Sequence, residues 1–209
     1  MNLDHLFIDL AVTNPNPSIG QIIAIAAVRT DKKGQQLGSF AAKVKLEEPL
    51  SSAEETECAY SDVEWRSARR FEHVMEDLQV TLITPFDPTY VAVATHAEVD
   101  RSFLREASGN RAFKRSDISK LLTRSWLDPL QLAWPMVYND MITDRSFVSL
   151  CKHFKVENSA PDTATGDVAA LVEVYWAMMS RYRGALLGEE VARELGGKAL
   201  ATVRRWTGL

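Results

Sequence analysis

What most limits the fold of this chain is a set of three strand-like runs crowded into its N-terminal part. "LFIDLAV" (6–12), "IIAIAAVRT" (22–30) and "LGSFAAKVKL" (37–46) are rich in apolar and β-branched residues. The intervening "TNPNPSIG" and "DKKGQQ" carry the Asn, Pro and Gly that favour turns. Connections this short join neighbouring antiparallel strands, because a parallel crossover needs a dozen or more residues. Beyond them, Val63, Val74, Leu78 and Leu82 recur at helical spacing over 62–82, with Pro85 and Pro88 as stops. A buried strand "YVAVAT" (90–95) comes next, then a helix over 98–107 packing Val99, Phe103 and Ala107. A strand within 125–133 runs into a helix or loop, and two more helices are expected over 146–154 and 165–183. A meander followed by alternating helices and strands predicts an α/β fold with helices on both faces of a mixed sheet. The expected division is one domain over 1–184 and a helical tail over 185–209, its apolar pattern interrupted by Gly196 and Gly197.

Acids collect at the ends of these elements. Asp9 closes the apolar run of the first strand with no Lys or Arg beside it, and a half-buried carboxylate needs a cation, a proton or several donors. Asp100 opens the helix after "YVAVAT", and Asp167 lies in the first turn of the last long helix. An α/β fold gathers such side chains in one crevice beside its strand ends. Three carboxylates there repel one another unless a cation joins them, and convergent Asp residues suit Mg²⁺ or Mn²⁺. Taken singly, Asp9 reads as a loop cap, and Asp100 and Asp167 as acids favoured at helix N-termini. Their joint placement favours metal.

Composition bounds the alternatives. With 209 residues, 46% hydrophobic and 25% charged, the chain has the material for one ordinary core. A net charge of −4 excludes a strongly basic nucleic-acid binder, leaving "RSARR" (66–70) and "KRSDISK" (114–120) as local contacts. An enzyme that neutralises phosphate with bound metal need not be basic. Cys58 and Cys151, without CxxC spacing, indicate neither a zinc site nor a disulfide framework, so a reducing cytoplasm is expected. "MNLDHLF" lacks the features of a signal peptide, and no run approaches the ~20 apolar residues of a membrane span. No GxGxxG, Walker, HExxH or GxSxG motif occurs. His5, His73 and His153 are dispersed and read as surface or satisfied core residues. Trp65, Trp126, Trp134, Trp176 and Trp206 read as core or helix-contact residues, with Trp65 or Tyr60 also placed to stack on a terminal base.

Three stretches together resemble the DEDD 3′–5′ exonucleases of the DnaQ-like or RNase T type. "FIDLAVTNPNPSIGQIIAIAAV" is similar to that family's first motif, "VATHAEVDRSFLREA" to its second, and "SLCKHFKVENSAPDTATGDVAALVEVYWAMM" to its third. "SWLDPLQLA" has the look of the strand and helix between the second and third. The resemblance spans 6–182 and implies a ribonuclease H-like mixed sheet, three antiparallel strands followed by parallel ones. It also implies hydrolysis of nucleic-acid 3′ ends with two divalent ions, Mg²⁺ or Mn²⁺, held by Asp9, Asp100 and Asp167. The implied partner is a single-stranded DNA or RNA 3′ end, with a homodimer left open.

The departures from the family pattern bear on activity. Ala11 stands where the first motif carries a metal-binding Glu, Asp162 where the third carries a general-base His, Thr163 where a Tyr variant would sit, and His96 where the second has Asn. Asp162 is the candidate substitute for the base, and Glu98 or Asp162 for the missing ligand. Three readings follow: an exonuclease impaired by these changes or working with a substitute acid, a catalytically inactive exonuclease fold that binds nucleic acid or a protein, or a different metal-dependent phosphoryl-transfer enzyme of the same broad fold.

Overall fold

Side chains two apart on a strand share a face. In β1 (Asp4–Val12) this puts Leu6, Ile8 and Leu10 on one side and His5, Phe7, Asp9 and Ala11 on the other. The computed structural model describes residues 3–51, 65–86, 89–108, 121–122 and 124–187. β1 pairs antiparallel with β2 (Ile22–Thr30), setting Asp9 opposite Ala26 and Ala11 opposite Ala24, and β2 pairs antiparallel with β3 (Gln36–Lys43). On its other edge β1 runs parallel to β4 (Tyr90–Val93), and β4 parallel to β5 (Trp126–Leu127). The order is β3-β2-β1-β4-β5, the mixed sheet that the sequence predicts.

The helices are α1 (Phe71–Leu78), α2 (Ala97–Ser108), α3 (Pro129–Leu132), α4 (Trp134–Tyr138), α5 (Phe147–Phe154) and α6 (Ala164–Leu187). Leu6, Ile8 and Leu10 bury against α1, against the wider π turn Gln79–Ile83 that follows it, and against Phe103 and Leu104 of α2. Phe7, Ala26, Val28 and Val93 bury on the other face against Val168, Leu171 and Tyr175 of α6. α6 is apolar on two sides because its far side packs Val174 and Met178 against Leu130, Met136 and Leu150 from α3, α4 and α5.

Several elements differ from expectation for local reasons. β3 stops at Lys43 because the chain then bridges Arg69 at Val44, with the Lys45 N–H donating to the Arg69 carbonyl at 2.8 Å. The same bridge holds 69–70 extended, so α1 starts only at Phe71; Val63 lies outside the described residues. α2 buries Ala97, Asp100, Phe103 and Leu104, leaving Val99 and Ala107 exposed, so the helix is turned to carry Asp100 inward. The strand expected within 125–133 shrinks to Trp126–Leu127 because Asp128 and Pro129 start a helix.

Single side chains also depart. His5 is 1% exposed and packs against Phe7, Tyr175 and Trp176 with neither ring nitrogen hydrogen-bonded, so it is a core histidine but not a satisfied one. Burial, the N-terminal charge and Arg183 lower its pKa to about 4, against the pull of Asp4. His73 is exposed, and His153 is satisfied by the Met141 carbonyl at 3.2 Å and Arg181 at 3.1 Å. Trp134 is not core: it is exposed beneath the Arg145 guanidinium. Trp65 donates to the Ile23 carbonyl at 2.9 Å and lies under Lys43, which ties its segment to the sheet. In "RSARR", Arg69 pairs with Asp77; "KRSDISK", Cys58, Tyr60 and Trp206 lie outside the described residues.

Arg29 is a feature that the sequence did not signal. It is fully buried, with one guanidinium nitrogen 3.0 Å from Asp4 Oδ2, another 3.0 Å from the Leu82 carbonyl, and the rings of Phe86 and Tyr90 about it. A buried cation so partnered joins β1, β2, β4 and the π turn.

Candidate active site

The register of the parallel strands sets the site. Phe7 pairs with Val93, so Asp9, two residues on, comes level with Thr95 just past the end of β4. Val93 pairs in turn with Leu127, and the Ala94 N–H donates to the Leu127 carbonyl at 3.1 Å, so Asp128 is the next residue along that edge. The carboxyl ends of parallel strands are where an open α/β sheet presents its crevice.

Asp9 shares its strand face with Phe7, the face that α6 covers, and Asp167 in the first turn of α6 acts directly on it. Burial, then the Asp167 charge, push the Asp9 pKa up to about 8, while a Thr95 side-chain hydrogen bond pulls the other way. Asp100 comes from the first turn of α2, 7% exposed, and its pKa is raised well above the carboxylate range by burial, then by Asp9 and Asp128. Its Oδ2 is buried without a hydrogen-bond partner. Asp167 is raised by burial and by Asp162, and lowered by the Asn158 amide, which donates to its Oδ1 at 2.6 Å, and by the Asp162 N–H.

Asp9, Asp100 and Asp167 are therefore electrostatic neighbours, linked through Asp9. Asp162 joins them beside Asp167, on an exposed turn. Glu98 does not: it is 78% exposed and pairs with Arg101 at 3.4 Å. Ala11 lies on the Asp9 face of β1, where a side chain two residues on points the same way.

Two backbone details explain the odd residues around the acids. His96 has φ 53° and Asp162 φ 62°, the left-handed region that Asn, Asp and His tolerate better than other non-glycine residues. His96 holds this turn while its carbonyl accepts the Val99 N–H at 2.7 Å, leading the chain into α2. Next to Asp167, Gly166 admits no side chain, since a Cβ there would overlap the Ala160 carbonyl. The "NSAPDT" turn is thereby pressed onto the start of α6, placing Asn158 and Asp162 against Asp167.

The donor set suits a hard cation. All four acids offer oxygen, Asp100 holds an orphaned buried oxygen, and the burial and then the mutual repulsion that raise Asp9 and Asp100 are what a bound cation offsets. Among the described residues no three His, Cys, Asp or Glu side chains stand together at ligand spacing. The acids are arranged in neighbouring pairs, and Mg²⁺ is commonly held by one or two carboxylates with waters and substrate phosphate completing its shell.

Sequence reasoning missed Asp128, Thr95 and Asn158. Asp128 falls where the expected strand over 125–133 gives way to a helix or loop, and Asp before Pro at the start of an apolar stretch is a helix-start signal. Thr95 and Asn158 carried no signal, since each acts on an acid distant in sequence.

No family model matches the chain, and no curated protein matches it by sequence. Solved structures do match by fold. Exonuclease I of E. coli, in complex with an oligonucleotide, superposes with a TM-score of 0.70 at 16% identity over 86% of this chain and 41% of its own. Cell-death related nuclease 4 superposes with a TM-score of 0.66 at 14% identity, over 85% of this chain and 64% of its own. A 3′-exonuclease that recognises the histone mRNA stem-loop superposes with a TM-score of 0.69 at 13% identity, over 85% and 64%. The chain thus has a ribonuclease H-like fold in common with these proteins, and spans about two fifths to two thirds of their length.

Proposed function

We propose that this chain is a divalent-metal-dependent 3′–5′ exonuclease that hydrolyses phosphodiesters at single-stranded DNA or RNA ends, slowed by the loss of the family's Glu and His. What supports this reading is the electrostatic coupling of Asp9 with Asp167 and of Asp100 with Asp9, beside the parallel pairing of β1 with β4, on a fold shared with exonuclease I. Exonuclease I was solved with single-stranded DNA and with zinc, and the 3′-exonuclease of the third match recognises a histone mRNA stem-loop, so both polymers are substrates to test.

In this reading Asp9, Asp100 and Asp167 hold Mg²⁺ or Mn²⁺. When bound, the metal supplies Lewis-acid activation of water and neutralises charge on the phosphoryl oxygens. The chain's own contribution is orientation. Thr95 fixes Asp9, while the Asn158 amide and the Asp162 N–H fix Asp167 as an acceptor. Asp162 is the group assigned to take the proton of the attacking water in place of imidazole. Ala11 offers no carboxylate at the position between the strands where the family's Glu would stand, and losing such a group costs on the order of 10²-fold in rate by analogy with other sites.

A second reading, an inactive module that binds nucleic acid or a protein, is favoured by the simultaneous loss of Glu and His at 11 and 162. One experiment separates the two. Purified protein is incubated with end-labelled single-stranded DNA and RNA in Mn²⁺, with Asp9→Asn as control for contaminating nuclease. Stepwise shortening from the 3′ end by the parent, absent in Asp9→Asn, is the expected result. Equal residual cleavage by both leaves the binding module as the function.

A further inference from the structure

We propose that Trp134, Tyr138 and Arg145 form a surface platform on which the bases of a single-stranded nucleic acid stack, beyond the carboxyl end of β5. This rests on the proposed action at single-stranded ends and names a further part of the surface that the strand touches.

The fold carries these side chains from the sheet to the surface. β5 ends at Leu127, and the chain turns at once into α3 and then α4, so Trp134 follows closely on the strand end. Within α4, Trp134 and Tyr138 are four residues apart and share a face. Met136 between them is buried with Leu130, Ala133 and Leu150, which anchors the helix and holds the two rings outward. Trp134 is 55% exposed and Tyr138 80%. Large aromatic rings left in water at one helical face are not explained by packing.

Arg145 is held against the first of them. Its Cζ lies 4.2 Å from the centroid of the Trp134 ring, and its Nη1 donates to Gln131 Oε1 at 2.9 Å. The turn that presents it is fixed in its own right: Asp144 Oδ1 accepts the Ser146 N–H at 2.8 Å, and Ser146 Oγ accepts the Ser149 N–H at 3.1 Å. Gln131 takes one of the five N–H donors of the guanidinium, which leaves others for a phosphate. An indole stacked with a guanidinium, beside a second exposed ring, is the chemistry that single strands use, because every base offers a π-face whatever the sequence. The surroundings favour a strand over a protein partner: Gln131, Asn139 and Asp140 are exposed about the rings, where the core of a stable protein interface is apolar and poor in charge.

The test measures binding of short fluorescein-labelled oligothymidylate and oligouridylate by fluorescence anisotropy, in chelator and again in Ca²⁺. The parent is compared with Trp134→Ala, Trp134→Phe, Tyr138→Ala and Arg145→Gln, all at exposed or half-buried positions, with melting temperatures recorded to confirm folding. Trp134→Ala and Tyr138→Ala are expected to weaken binding by about fivefold or more, and Trp134→Phe to keep most of the parent's affinity. Arg145→Gln is expected to lower both the affinity and the slope of its salt dependence, the mark of a lost phosphate contact. Unchanged affinity in both alanine variants overturns the platform and leaves the exonuclease reading to its own test. Self-association of the parent that Trp134→Ala abolishes, with oligonucleotide affinity unchanged, also overturns it and makes the surface a protein interface. No binding of either oligonucleotide by the parent overturns this inference together with the reading on which it rests.

Discussion

At the scale of single residues, Asp9 makes the metal-free site costly in a way that pH reveals. Its carboxyl is raised to about 8 by burial and by Asp167, so the folded chain keeps a proton that the unfolded chain has released above pH ~4. The contribution is therefore full in acid and lost as pH rises from about 4 through 8. His5, lowered to about 4, works in the opposite sense: its contribution is present above pH ~6.5 and lost as pH falls toward 4. Thermal melts in chelator at pH 5, 7 and 9 should show a smaller loss of stability with rising pH in Asp9→Asn than in the parent, and Mn²⁺ should flatten the parent's curve. In His5→Phe the acid-side loss should disappear, with stability at pH 7 equal to the parent's or about 1 kcal/mol higher, since an unpartnered imidazole is replaced by a ring that needs no partner. Ala11→Glu puts a carboxylate on the Asp9 face of β1, and we expect Mn²⁺-dependent degradation of a labelled single strand to rise well above the parent's, and further with Asp162→His added. Asp100 and Asp167 stand in the first turn of a helix, as their place in the sequence leads one to expect, whereas Asp9 lies within β1, three residues short of the strand end expected of it, because pairing with β2 continues past it. The approach of Leu127 to Val93 was not legible in sequence, because the β4–β5 register joins segments more than thirty residues apart.

At the scale of elements, the turns that enter α2 and α6 hold the site in shape. His96 and Asp162 occupy left-handed backbone, and Gly166 is pressed against the Ala160 carbonyl. His96→Asn should therefore leave the denaturation midpoint close to the parent's. His96→Val should cost about 1–2 kcal/mol, because a β-branched residue is strained at that φ. Gly166→Ala should destabilise by about 1–3 kcal/mol and weaken Mn²⁺ binding, because the turn carrying Asn158 must move off the helix to make room. Both are read from chemical denaturation curves with unchanged slope. The three meander strands and the last two helices were legible because their periodicity is strong and their turns carry Asn, Pro and Gly. The start of α1 was not, since a bridge from Arg69 to Val44, distant in sequence, holds the preceding residues extended. The inward turn of α2 was hidden for a related reason: a polar residue, Asp100, takes a place on the buried face that hydrophobic spacing assigned to Val99.

At the scale of the whole molecule, the sheet order and the helices packed on it bring Asp9 of β1, Asp100 of α2 and Asp167 of α6 within electrostatic reach of one another beside a well-filled core. The likeness to exonuclease I, cell-death related nuclease 4 and the histone mRNA exonuclease extends over some 85% of the chain at 13–16% identity, which conveys the fold and leaves the chemistry to the residues. In the proposed function these acids hold a divalent cation against a phosphate. Its most direct test is diffraction from crystals soaked in Mn²⁺ and a nucleoside 5′-monophosphate, with data collected to reveal the anomalous signal of manganese. A manganese peak among Asp9, Asp100 and Asp167 is expected, with the phosphate of the nucleotide against it. Density for the nucleotide with no manganese in the crevice, or manganese bound only elsewhere on the protein, would contradict it.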